Sequence, residues 1–152
     1  MLRALFAALM LLALPALASP ALAQAGSAPT IPQAVLLKPA ELAATLRGGP
    51  KPVIIQVGFK VLYDEAHIPG AIYAGPTSKD EGIEALKTAA ANIGKDQQVV
   101  IYCGCCPWEH CPNVAAAWRV LKELGFSNLK VLYIPTNFGT DWVAKGYPIV
   151  KG

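Results

Sequence analysis

The run Gln98-Val99-Val100-Ile101-Tyr102 most limits how this chain can fold. It is apolar and β-branched and too short for a stable helix, so it reads as a buried strand. Beyond a loop, Val114, Ala117, Trp118 and Leu121 recur at i, i+3, i+4 and i+7, the stripe of an amphipathic helix that runs on to Gly125. The same alternation fills the rest of the chain. Pro52–Val57 and Leu129–Ile134 read as further strands, and Ala71-Ile72-Tyr73 as a short one after the Pro69-Gly70 turn. Lys38-Pro39 opens a helix that runs to Leu46 and stops at Gly48-Gly49-Pro50, with Pro39 in the first turn where its missing N–H is not needed. Glu81–Asn92 reads as a helix with Ile83, Leu86 and Ala90 inward, and Asp141–Lys145 as a final short one. Phe59–Ala66 is ambiguous. Strands and helices at this spacing predict an α/β fold, a parallel β-sheet with helices on both faces.

Between the central strand and its helix lies Cys103-Gly104-Cys105-Cys106-Pro107-Trp108-Glu109-His110-Cys111-Pro112-Asn113. It holds all four cysteines and one of the two histidines. Ligands and chemistry collect where a strand of an open sheet hands over to a helix. The helix end also offers unpaired N–H groups and partial positive charge, which favour a thiolate.

The loop admits three readings. One is structural disulfides, although bridges closing such short loops stabilise least. A vicinal Cys105–Cys106 bridge is strained, and four cysteines allow three complete pairings among which the sequence does not choose. A second is a Zn or Cu site drawn from Cys103, Cys105, Cys106, Cys111 and His110, in a spacing unlike the usual separated pairs of a zinc knuckle. The third is thiol redox or sulfur chemistry, with Cys111 nearest the helix and Cys105 or Cys106 as a resolving thiol. Trp108 either shields the thiols or packs the loop on the domain, and His110 is a base or ligand if it is not a solvated loop residue.

The N-terminus carries a separate signal. Met1-Leu2-Arg3 and an apolar run to Leu17 precede Ala21-Leu22-Ala23, a small-x-small cleavage site before Gln24; Ala23-Gln24-Ala25 is a second option. Pro15, Pro20 and the shortness of the run argue against an uncleaved anchor. The expected organisation is a signal peptide over residues 1–23, a flexible lead-in over 24–34 and one domain over 35–152. The expected location is therefore outside the cytoplasm, a bacterial periplasm, where disulfides are permitted. Cleavage removes Arg3 and lowers the formal charge of +3 by one, a balance that implies neither nucleic acid nor, after cleavage, a membrane as partner.

Four motifs in this order resemble the rhodanese domain of the sulfurtransferases, over about residues 35–150. They are Tyr63-x-x-x-His67-Ile68-Pro69-Gly70-Ala71, Val100-Ile101-Tyr102-Cys103, Leu121-Lys122-Glu123-Leu124-Gly125-Phe126 and Trp142-x-x-x-Gly146-Tyr147-Pro148. The resemblance implies an exported rhodanese-like protein with an extended cysteine-rich active-site loop. Cys103 would take a sulfane sulfur as a persulfide inside a ring of backbone N–H donors and pass it on. Cys111 is the second catalytic candidate, Cys105 and Cys106 possible resolving or disulfide partners, and Gly104, Trp108, His110 and Asn113 the loop support. The implied partners are a sulfur donor and a thiol acceptor, small molecule or protein, with no cofactor. The alternative is a non-catalytic binding module whose loop binds Zn or Cu or is closed by disulfides.

The chain departs from the family in three places. Its loop is longer, it carries no Arg or Lys from Cys103 to Asn113, and Gln56-Val57-Gly58 stands where the family often has Asp-x-Arg. Anionic donors need a cation, so a persulfide or polysulfide is the expected donor in preference to thiosulfate. His67 reads as structural, Trp118 and Trp142 as core, Tyr133 and Phe138 as packing near the site, Asn137 and Gly139 as a turn, and Lys79-Asp80-Glu81 as a helix start.

Overall fold

Five parallel strands form the sheet in the order β1-β5-β4-β2-β3: β1 Leu36–Leu37, β2 Val53–Gln56, β3 Ile72–Tyr73, β4 Val99–Tyr102 and β5 Leu129–Leu132. The computed structural model describes residues 30–152, so the expected signal peptide and residues 24–29 of the lead-in lie outside the described residues. The helices are α1 Pro39–Gly48, α2 Lys60–Glu65, α3 Asp80–Ala90, α4 Pro112–Glu123 and α5 Phe138–Asp141. Among the described residues no helix is long and apolar enough to cross a membrane.

Every residue of β4 is buried, which is why its sequence is continuously apolar instead of alternating. Its side chains still divide by face. Val99 and Ile101 pack with Leu86 and Ala90 of α3 and with Val114, Ala117, Trp118 and Leu121 of α4. Val100 and Tyr102 pack with Leu42 and Ala43 of α1, Phe138 of α5 and Trp142. Each such burial stabilises by about 1.5–3 kcal/mol, so the strand is anchored from both sides. Helices cover both faces, as the sequence predicts. Cys103 follows Tyr102 and so falls on the α3 and α4 side.

Three stretches differ in detail. Leu36–Leu37 adds an edge strand against β5, preceded by a 3-10 turn at Gln33–Val35, and Ile31 packs onto the core. A strand of two residues leaves no period to read. The ambiguous Phe59–Ala66 forms a helix over Lys60–Glu65. The last helix begins earlier than expected: Asn137, read as a turn, is its N-cap and accepts the Thr140 N–H at 2.8 Å. The Asp141 carboxylate accepts the N–H groups of Thr136 and Asn137 at 2.7 and 3.1 Å. A separate 3-10 turn, Val143–Lys145, replaces the expected continuation.

His67 is held structurally. Its ring stacks on Tyr63 at 3.8 Å, Nδ1 lies 2.7 Å from the Tyr63 carbonyl, and its backbone bridges Val150. That bridge brings the C-terminal segment back towards the end of β4.

Candidate functional site

Cys103 leaves β4 with its backbone already fixed. The Gln56 side chain, itself buried, donates through Nε2 to the Cys103 carbonyl at 3.1 Å and accepts the Gly58 N–H through Oε1 at 3.2 Å. Gly58 leaves room for the thiol, because a Cβ there would stand 2.8 Å from both the carbonyl oxygen and Sγ of Cys103. On the other side, Asn113 sits in the first turn of α4. Its Oδ1 accepts the Ser78 N–H at 2.8 Å, its carbonyl accepts the Thr77 hydroxyl at 2.6 Å, and Nδ2 points at Cys103 Sγ across 3.5 Å.

The cysteines converge on that sulfur. Cys105 Sγ lies 3.1 Å from Cys103 Sγ and 3.2 Å from Cys106 Sγ. The Sγ atoms of Cys103, Cys105 and Cys111 all stand within 4.8 Å of one another, and the four thiols are free. The Cys111 thiol beside Cys103 is the main reason the Cys103 thiol is pushed down to about 6; burial opposes this, and the Cys105 N–H, the Cys105 thiol and Asn113 add to it. The same neighbour, Cys103, followed by burial, pushes the Cys111 thiol up. Burial first, then the thiols on either side, pushes Cys105 up. One thiolate thus forms at Cys103 while its neighbours keep their protons. Cys111 is the N-cap of α4 but its side chain accepts no capping hydrogen bond, and the neighbouring Cys103 together with burial keeps its thiol protonated in spite of the helix end.

Cys103 and Cys105 line a cavity of about 590 Å³. Its walls include Leu62, Tyr102, Phe138, Val143 and Ile149, and its charged lining residues are Glu65 and Lys151. Gly104 connects the loop to the opposite wall. Its φ is +89°, its carbonyl accepts the Phe138 N–H at 2.9 Å, and a Cβ there would stand 2.9 Å from Phe138 Cβ. Trp108 is buried in the same core as Cys103 and Cys111, with its backbone N–H on the Ile134 carbonyl at 2.9 Å. It therefore both packs the loop and shields the thiols. Its indole Nε1 has no hydrogen-bond partner among the described residues.

The expected set is thus only partly assembled. Cys103, Cys105, Cys111, Gly104, Trp108 and Asn113 meet, and Cys106 stands at the edge, half-buried, against Cys105 and Cys111. His110 does not join them. It lies exposed at the end of the 3-10 turn Trp108–His110 and outside the three-thiol group, the position of the solvated loop residue that is the other reading of the sequence. Sequence reasoning missed Gln56, Gly58 and Thr77 as supports, and Lys151 as the cation lining the cavity. The one available signal was the Gln56-Val57-Gly58 departure at the neighbouring strand end.

Residues 38–133 match the family described as Rhodanese-like domain. A search of curated protein sequences finds no match. Among solved structures, the rhodanese-like domain of an Anabaena protein aligns with a TM-score of 0.57 at 22% identity, covering 78% of this chain and 80% of that one. A rhodanese-related protein from Thermoplasma volcanium gives 0.54 at 19% identity, over 76% and 97% of the two chains. The polysulfide-sulfur transferase homodimer from Wolinella succinogenes gives 0.55 at 18%, over 78% and 79%. At these identities the likeness is one of fold, and it agrees with the five-stranded parallel sheet. The family match spans most of the chain, from α1 to just past β5 and across the whole cysteine loop, and the chain belongs to the rhodanese-like domain family.

Proposed function

We propose that the protein is exported to a periplasm and there moves sulfane sulfur through a persulfide on Cys103. The observation that supports the sulfur-transfer part of this reading is the Cys103 thiol at the wall of a largely apolar cavity, with Cys105 Sγ at 3.1 Å and Asn113 Nδ2 at 3.5 Å from its sulfur. The Cys103 thiolate attacks the outer sulfur of an organic persulfide or polysulfide donor. The donor's S–S bond breaks and its remaining thiolate leaves, taking a proton from solvent. An acceptor thiolate then attacks the outer sulfur of the Cys103 persulfide, and Cys103 leaves as the thiolate. No net oxidation occurs in either step.

The donors around Cys103 stabilise the negative charge on each occasion that the residue carries it. The apolar walls favour a donor with an organic body, and Lys151 offers a charge to a carboxylate on that body more readily than to a small inorganic dianion at the sulfur. A second route of release starts from Cys105, 3.1 Å away: its sulfur attacks the inner sulfur while its thiol proton passes to the outer one, a Cys103–Cys105 disulfide forms, and hydrosulfide departs. A dithiol reductant then restores both thiols.

Anaerobic incubation of the reduced, mature protein with an alkyl persulfide tests the reading. Intact mass spectrometry should find one sulfur atom retained per chain and lost on adding a small thiol. Failure to retain sulfur from any persulfide or polysulfide donor would remove sulfur transfer as the function.

A further inference from the structure

Three of the thiols also form a compact ligand set. Carrying a persulfide needs one sulfur, yet Cys103, Cys105 and Cys111 place three Sγ atoms within 4.8 Å of one another. An ion held by three sulfurs at about 2.3 Å sets them roughly 4 Å apart, inside the range seen here. Cys103 and Cys105, now 3.1 Å apart, need only a small separation to accept it. The donors beside Cys103 suit an anionic complex: the Asn113 amide points at its sulfur across 3.5 Å, and the Cys105 N–H favours its charged form.

We propose that Cys103, Cys105 and Cys111 form a three-coordinate site for monovalent copper. Thiolates select soft ions, and a closed-shell monovalent ion tolerates three ligands, whereas structural zinc takes four. No fourth donor joins this set among the described residues. His110 is exposed, and Cys106, although against Cys105 and Cys111, lies at the edge and outside the set of sulfurs that all stand within 4.8 Å of one another. Binding displaces the thiol protons as the Cu–S bonds form and changes no oxidation state, so affinity falls on acidification. Copper and a persulfide compete for Cys103, and a copper-loaded chain accepts no sulfur. Copper capture itself needs no persulfide and stands whether or not the protein transfers sulfur.

The test is anaerobic titration of the reduced, mature protein with Cu+ buffered by a chromogenic Cu+ chelator, with X-ray absorption of the product. The expected result is one Cu+ per chain in a shell of three sulfurs. Cys106→Ser and His110→Ala should hold it within about threefold of the wild-type affinity, and Cys105→Ser should weaken it at least about tenfold, the effect of losing one ligand. Circular dichroism of each variant separates ligand loss from misfolding, and Cys111→Ser supplies a second ligand variant should Cys105→Ser not fold. Complete transfer of copper to the chelator at equimolar concentrations overturns the proposal. So does a four-sulfur shell that loses a ligand in Cys106→Ser, or one Zn2+ bound per chain in preference to Cu+.

Discussion

Asn113 Nδ2 faces Cys103 Sγ at 3.5 Å while Oδ1 of the same side chain holds the Ser78 N–H at 2.8 Å. One buried amide thus ties the thiolate to the segment ahead of α3, with its orientation set by an acceptor role that only its oxygen can fill. An aspartate at this position keeps the Ser78 bond, loses the donor and adds a like charge beside the thiolate.

The pH dependence of Cys103 reactivity follows. Its thiol lies at about 6, below the ordinary value of about 8.5. Alkylation by iodoacetamide should rise with pH through that region and level off near about pH 7. Asn113→Asp should move the midpoint upward by on the order of one pH unit. A wild-type midpoint at the ordinary thiol value would contradict the hydrogen-bonded cluster.

Gly58 is a steric requirement of the same site. Alanine there would place its Cβ 2.8 Å from Cys103 Sγ, so the loop or β2 must shift. Gly58→Ala should cost about 1–3 kcal/mol in chemical denaturation and lower sulfur loading several-fold. Gly48→Ala, where nothing lies within 4 Å, is the control and should be close to neutral. Equal effects of the two would show that the close approach at Gly58 does not matter.

Much of this was legible in the sequence, for physical reasons that differ by element. β4 was readable because burial on both faces forces a continuous apolar run, and α4 because its stripe has helical period. β1 was not, since two edge residues carry no pattern. The loop announced itself by holding every cysteine, but its supports did not. Gln56 and Cys103 are 47 residues apart, and Thr77 and Asn113 are 36 apart, so only the folded sheet makes them neighbours. The sequence left His110 open for the converse reason. Adjacency to Cys111 in sequence says nothing about direction, and in the 3-10 turn that joins them Trp108 points in while His110 faces out.

Donor choice should follow the charges lining the cavity. Lys60 is paired with Asp64 and Arg119 is exposed on α4, leaving Lys151 as the cation of the lining. Steady-state kcat/KM with an alkyl persulfide should exceed that with thiosulfate by at least about tenfold, the worth of one absent charge-assisted hydrogen bond. Lys151→Ala should lower the residual thiosulfate rate further. Equal efficiency with the two donors would mean that backbone N–H groups alone bind the dianion.

Export is checked by N-terminal sequencing of the mature protein from its host, which should begin at Gln24 or Gly26. A mature chain that retains Met1 and fractionates with membranes would replace the cleaved signal with an anchor.

The central claim is that Cys103, and no other thiol of the cluster, carries the transferred sulfur. Peptide-resolved mass spectrometry after persulfide treatment, with alkylation to trap the product, measures this directly. The added sulfur should map to Cys103 in the wild-type protein and be absent in Cys103→Ser. Cys111→Ser should still load, more slowly near neutral pH because its thiol no longer lowers that of Cys103. Normal loading in Cys103→Ser together with none in Cys111→Ser would contradict the account and place the chemistry at the start of α4.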